Sequence, residues 1–176
     1  MIRKSTVNIS YANTGKLCGI DSVIHEYNRI VNAFIDYLWA NSITSGSFVK
    51  DTKWLETWLS ARMKQAAAKQ ALAIVKSQRK KQKKTKPVFC QLVMELDSRF
   101  IEIHQYLNSF DFWIKLSSLG RGIILWIPSK KHKHFNKFVK AGWKMKKSVR
   151  IRKTGSGFFI DIYFEKKEPE KKPFGR

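Results

Sequence analysis

The sequence predicts an α+β chain, a small β-barrel interrupted by a helical insertion, with an α+β sandwich as the alternative. Three observations carry this reading. Ile2 to Tyr11 reads as a strand, two segments of helical period follow, and beyond Pro87 the period returns to two. The chain's 176 residues and 20.6 kDa suit one domain able to bury a core. Aromatic residues make up 13%, which argues against a wholly disordered basic tail.

In the first strand, Lys4, Thr6, Asn8 and Ser10 alternate with Arg3, Ser5, Val7 and Ile9, and residues 13–16 punctuate it. From Ile20 the spacing changes. Ile20, Ile24, Tyr27, Val31, Phe34 and Leu38 form one helical stripe, with Asp21 or Ser22 as its expected cap. After a polar connection, Asp51 or Thr52 is expected to open a second helical region with Trp54, Leu55, Trp58 and Leu59 as an apolar patch. Residues 60–84 contain no Pro or Gly and are rich in Ala, which predicts a long helix. Its stripe runs through Met63, Ala67, Gln70 or Ala71, and Ile74, and its basic end projects as an arm. Strands are expected at 88–95, 100–105, 110–116, 123–127, 144–152 and 158–165, with a short helix at 132–140. Pro128 is expected to stop the fourth of these, and Gly155-Ser156-Gly157 to turn a hairpin.

Lys and Arg number 35 against 13 Asp and Glu, a formal charge of +22. A polyanion is the natural partner for such an excess, nucleic acid first and an acidic membrane second. The charge is divided: residues 1–50 carry net +2, 51–86 net +9, 87–127 net −1 and 128–176 net +12. Two basic blocks thus flank a nearly neutral hydrophobic middle. There is no apolar run long enough to span a membrane and no signal-peptide core. Cys18 and Cys90 form no CxxC pair, which argues against a disulfide framework or structural zinc.

Catalytic signatures are poor: GxSxG, P-loop, HExxH and GxGxxG are absent. His132 and His134 lie among lysines that oppose a metal cation, which leaves phosphate contact as their functional use. Glu95 and Asp97 can share a strand face, but Glu102 and Asp111 have no diagnostic spacing. Asp161 and Glu165 fit a loose nuclease pattern, though an outward salt bridge is the ordinary role for Asp161. His25 and His104 read as surface or packing residues.

Basic and aromatic features carry more weight together. Lys76, Arg79, Lys80, Lys81, Lys83, Lys84 and Lys86 make one electrostatic track toward phosphates. Lys144, Lys146, Arg150 and Arg152 can share one strand face. Arg62, Lys64, Gln65, Lys69 and Gln70 combine charge with amides able to address base edges, surface solvation being the alternative. Trp39, Trp54 and Trp58 are expected in the core.

Residues 27–39, YNRIVNAFIDYLW, resemble the first helix of TnpB proteins, the transposon-encoded RNA-guided nucleases related to miniature type V CRISPR effectors. Residues 60–72, SARMKQAAAKQAL, resemble that family's next recognition helix. MELDSRF at 94–100, FWIKL at 112–116, Ile127-Pro128, VRIRK at 149–153 and FFIDIYFE at 158–165 match its β-rich part in order. The similarity spans nearly the whole chain and rests on order and interval, not on one short motif.

The resemblance implies a wedge-type, oligonucleotide-binding-like barrel whose first strand is 1–14, a helical recognition insertion at 15–86, the rest of the barrel at 87–167 and a basic linker or tail at 168–176. It implies guide RNA and target DNA as partners. Tyr27, Asn28, Asn32, Ser60, Arg62, Lys64, Gln65, Lys69 and Gln70 then correspond to the DNA-proximal helices. The basic track of Lys76, Arg79, Lys80, Lys81, Lys83 and Lys84, with Lys144, Lys146, Arg150 and Arg152, falls to RNA. Protein would read a short flanking motif while guide pairing supplies the longer specificity. The family's RNase H-like nuclease domain and zinc ribbon should follow the wedge, and no residue here matches them. No catalytic residue, metal ligand or cofactor is therefore expected in this chain, Mg²⁺ belonging to that nuclease part, separate or downstream. The expected setting is the prokaryotic cytoplasm, on the nucleoid when DNA is bound, without membrane contact. A free-standing structured-RNA-binding adaptor is the competing reading, and a compact metal-dependent nuclease a third.

Overall fold

A computed structural model describes residues 1–46, 52–82, 85–105 and 109–167. The elements run β1 (Ile2–Asn8), α1 (Thr14–Ala40), α2 (Ala61–Arg79), β2 (Val93–Leu96), β3 (Ile101–Gln105), β4 (Phe112–Leu116), β5 (Leu125–Ser129), α3 (Lys133–Lys140), β6 (Lys144–Thr154) and β7 (Gly157–Glu165). The fold is mixed α+β. Its strands form two antiparallel sheets, ordered β1-β7-β6-β2 and β3-β4-β5, and neither is closed into a barrel.

The first strand pairs with the last, from Ile2 opposite Glu165 to Asn8 opposite Phe159. That pairing makes α1 and α2 an excursion from the edge of one sheet. On the inner face, Val7, Val149, Ile151, Ile160, Ile162 and Phe164 are buried. The outer face carries Lys4 and Thr6 from β1, Asp161 and Tyr163 from β7, and Arg150 and Arg152 from β6. β6 holds two extra residues between Met145 and Val149 relative to β7. An even insertion preserves the in–out alternation, so Lys144 and Arg150 remain on one face.

α1 begins earlier than the apolar stripe suggests. Asn13, not Asp21 or Ser22, is its cap, its Oδ1 accepting from the Lys16 N–H at 3.0 Å. The stripe itself is buried from Ile20 to Leu38. α2 packs on α1 through Met63, Ala67, Ala68, Ala71, Leu72 and Val75, whose small side chains let the two backbones approach. Within the stripe, Ala71 takes the place left open with Gln70, and Val75 replaces Ile74. The helix ends at Arg79, with Lys80 as its C-cap, so the expected helical arm is shorter. Lys83 and Lys84 lie outside the described residues, as does Asp51.

Residues 52–60 are not helical, because distant side chains satisfy their backbone. Arg29 donates to the Glu56 carbonyl at 2.8 Å and Lys64 to that of Leu55 at 3.2 Å, while the Thr57 hydroxyl donates to Glu26. Leu55 and Leu59 go inward, but Trp54 and Trp58 stay 45% and 47% exposed, against the expectation of a core role. Leu59 bridges to Gly120, where a Cβ would lie 3.1 Å from the Trp58 carbonyl oxygen. A larger residue there would have to push that carbonyl, the Trp58 ring and the Ile123 side chain aside, and glycine avoids the crowding.

Pro128 sits inside β5 and does not stop it. β5 pairs only with β4 and is an edge strand, where a missing N–H is tolerated. α3 then crosses from β5 toward β1, with Phe135 stacked on Phe112 and Phe138 on Phe164. His132 caps α3. Its Nδ1 accepts from the Phe135 N–H at 3.3 Å, so Nε2 carries the hydrogen and donates to the Thr6 carbonyl at 2.9 Å. The ring thereby covers a carbonyl of edge strand β1.

Asp161 makes the expected salt bridge on the outer face, but from a buried position. Its side chain is 1% exposed, accepting from Thr6 Oγ1 at 2.5 Å and Lys4 Nζ at 3.3 Å, with Arg152 Nε at 3.4 Å. Burial alone would raise its pKa, but Thr6, Lys4 and Arg152 outweigh burial and hold it below the ordinary carboxylate value. A depressed carboxylate contributes stability above its unfolded pKa and loses it as pH falls through the folded one. Thermal stability should therefore hold down to about pH 5 and decline below about pH 4. Asp161→Ala should cost about 2 kcal/mol in chemical denaturation at pH 7, as expected for hydrogen bonds to a charged group. An unchanged midpoint in that variant would show that the three-strand clasp contributes nothing.

Candidate nucleic-acid interface

α2 meets the outer face of the four-stranded sheet across a cleft of about 670 Å³. Its helical wall carries Ala66, Lys69, Gln70, Ala73 and Ile74; its sheet wall carries Glu95, Lys146 and Tyr163, with Asp97 and Arg99 just beyond β2. The volume falls within the 300–1,000 Å³ or so usual for small-molecule sites, ample for a nucleobase. Burial is the largest influence on the Tyr163 phenol and raises its pKa, so at neutral pH it remains a donor.

Charge in the cleft is mixed. The Arg99 side chain holds both Asp97 oxygens, by Nε at 2.9 Å and Nη2 at 2.6 Å, and keeps that carboxyl below its usual range. Arg150 pairs with Glu95 across β6 and β2. With the carboxylates matched to arginines, Lys69 stands exposed at the mouth, and Lys146 reaches only to 3.9 Å from Glu165. Such a lining suits the polar edge of a base better than a phosphate. Phosphate-suited cations lie on the rims: Lys76, Lys80 and Lys81 at the end of α2, and Lys144 on β6, all exposed.

The sequence-predicted residues divide sharply. Tyr27 is buried, and its hydroxyl donates to Gln70 Oε1 at 2.8 Å. It lines the cleft with almost no exposed surface and fixes the Gln70 amide at the cleft wall. Asn28 and Asn32 are likewise engaged within the chain. Asn28 donates to the carbonyls of Phe89 and Gln91 at 2.8 and 3.1 Å. Asn32 donates to the Phe89 carbonyl at 3.0 Å and accepts its N–H at 2.9 Å. These two amides clamp the connector into β2 onto α1, hydrogen bonds that any DNA contact would have to share.

Ser60 is the α2 N-cap, accepting from the Met63 N–H at 3.1 Å and donating to the Ser118 carbonyl at 2.5 Å. Lys64 is tied to Leu55, whereas Arg62 is exposed on the solvent side of α2. Gln65 lies five residues before Gln70, about 140° round the helix, and does not line the cleft. The two glutamines thus do not address one groove. Arg79 donates to the Trp39 carbonyl at 3.0 Å, with its guanidinium 4.8 Å from the Trp39 ring centre, closing the C-terminus of α1. Arg152 sits over Phe159 at 4.9 Å beside Asp161. Both arginines are engaged within the chain, unlike the exposed lysines of the expected RNA track.

Sequence reasoning passed over Arg99 and Tyr163. The alternation Phe159, Asp161, Tyr163 pointed to one face, but only the return of β7 beside β1 and β6 brings that face opposite α2. Among the described residues, no three His, Cys, Asp or Glu side chains converge. No protein-family model matches the chain, and no curated protein matches it.

Asn32→Ala should leave the Phe89 N–H without its partner and cost about 1–3 kcal/mol in equilibrium unfolding. Lys69→Ala should stay within about 0.5 kcal/mol of the parent. Equal stabilities for these two variants would contradict the division between clamp and cleft residues.

Proposed function

We propose that this chain is a non-catalytic nucleic-acid-binding module of an RNA-guided DNA endonuclease system, holding guide RNA and reading a short target-flanking DNA motif. The observation that carries the reading is the cleft in which the polar side of α2 faces the aromatic and cationic outer face of the sheet. A helix with presented Lys and Gln side chains suits base-edge contact, and the rim cations suit phosphates. The finer architecture belongs to the same reading: the two sheets are halves of a wedge-type barrel, with α3 and His132 occupying the seam between β5 and β1. The first-to-last strand pairing supports it, because it is what a barrel interrupted by a recognition insertion requires.

In this reading Gln70 and Lys69 address the DNA motif, with Tyr27 positioning Gln70. Lys76, Lys80, Lys81, Lys144 and Lys146 attract the RNA backbone. Cleavage belongs to a separate RNase H-like part that supplies its own metal ligands. Asp161 is unsuited to that work, its oxygens already facing Thr6, Lys4 and Arg152.

The test is motif-library binding by the guide-loaded complex. Gln70→Ala should reduce discrimination at one motif position by about 1–3 kcal/mol. Tyr27→Phe, which releases the amide, should blur the same position with RNA affinity retained. Gln65→Ala should leave the ranking as it was. Lys80→Ala with Lys81→Ala should lower the salt slope of RNA affinity by about one to two. RNA binding with no motif preference in the parent would favour a structured-RNA adaptor instead.

A further inference from the structure

The three-stranded sheet has its own chemistry on the side away from the core. Phe112, Ile114, Leu116 and Ile127 point inward and are fully buried. The alternate positions face outward in two cross-strand rows. His104 and Trp113 make one, ending on Pro128, which is itself buried, and Glu102, Lys115 and Trp126 make the other. Trp113 and Trp126 are only half-buried.

The aromatic surface continues beyond the sheet. Trp126 reaches to 5.1 Å from the His104 ring centre; Trp113 meets Phe110 edge-on at 5.5 Å, and Phe110 meets Tyr11 at 5.7 Å. Lysines are laid over these rings: Lys115 at 5.7 Å from Trp126, Lys16 at 5.4 Å from Trp113 and Lys130 at 5.2 Å from Tyr11. The acidic groups here are already engaged. Glu102 accepts from Lys115 and His104, and Asp111 accepts the Lys131 backbone N–H.

We propose that this face is a stacking platform for single-stranded nucleic acid, separate from the α2 cleft. Rings supply sequence-tolerant contacts for unpaired bases, and Lys16 and Lys130 have flexible stems that can swing from ring to phosphate as a base takes its place, while Lys115 stays paired with Glu102. Cross-strand aromatic packing by itself would stabilise the sheet. It does not account for half-buried tryptophans combined with a lysine over each exposed ring. The occupant is fixed by charge and ring together: a polyanion bearing planar, unpaired bases. A duplex, whose bases are already stacked, cannot use the surface.

The experiment measures affinities of the full chain for labelled 12-nucleotide oligo(U), oligo(dT) and a duplex of equal length. Trp126→Leu keeps apolar volume and removes the ring, while Trp126→Phe keeps a ring. The leucine variant should bind at least one single strand on the order of tenfold more weakly, with the phenylalanine variant near the parent. Whichever strand is weakened identifies RNA or DNA as the occupant. Duplex affinity should be unaltered. Lys16→Ala and Lys130→Ala, remote from the sheet core, should each lower the single-strand salt slope by about one. Equal single-strand affinities for the leucine and phenylalanine variants, or an equal loss on the duplex, would overturn the proposal. Loss of Gln70-dependent motif reading alone would leave it standing, because that residue lies in the other site.

Discussion

The antiparallel pairing of β1 with β7 is the constraint on which the rest of the molecule depends. It joins residues more than 150 positions apart, as in Thr6 opposite Asp161. It makes the two long helices an excursion from one sheet edge. Asp161 reinforces it by drawing Thr6, Lys4 and Arg152 onto one buried carboxylate, so three neighbouring strands share one electrostatic centre. A buried carboxylate without those partners would be costly. With them, the carboxylate is matched to two cations and a hydroxyl from the strands on either side of β7.

The surplus of positive charge is organised by the scarcity of negative charge. Asp21, Glu26, Asp36, Glu95, Asp97, Glu102, Asp161 and Glu165 each face a basic partner. Several of these pairs join elements: Lys153 on β6 reaches Asp21 on α1 at 2.6 Å, and Arg150 on β6 reaches Glu95 on β2. The acids therefore sort the cations into two groups. Arg79, Arg99, Arg150 and Arg152 pack, cap and pair, as the planar guanidinium favours. The exposed cations beyond them, mostly lysines, form the positive surface. Arginine here builds and lysine presents.

Much of the fold was legible because its signals are local. The stripe from Ile20 to Leu38, the alanine-rich second helix and the period-two segments after Pro87 each identify an element from neighbouring residues alone. The failures share one cause. Residues 52–60 looked helical through Trp54, Leu55, Trp58 and Leu59, but Arg29, Glu26 and Lys64 reach in from outside the segment to hold another backbone shape. Pro128 looked like a stop because sequence does not say which strand is an edge. The outward, salt-bridging place of Asp161 was legible but its burial was not, because alternation gives the face and not what stands across from it. At the candidate site the same limit applies. Composition identified α2 and β6, yet the partners that Tyr27, Asn28, Asn32 and Arg79 hold within the chain were not legible, and Arg99 and Tyr163 came into view only with the sheet order.

The central claim is that these surfaces hold nucleic acid in the living cell. The direct measurement is recovery and sequencing of nucleic acid bound to the chain purified from its native host under mild salt, after cross-linking. The account predicts enrichment of one discrete structured RNA species, with cross-linked peptides containing the α2 cleft, the lysines at its rim or the β6 cations. Recovery of no RNA above a charge-matched control protein, or a random sample of cellular RNA cross-linked without regard to these elements, would contradict it.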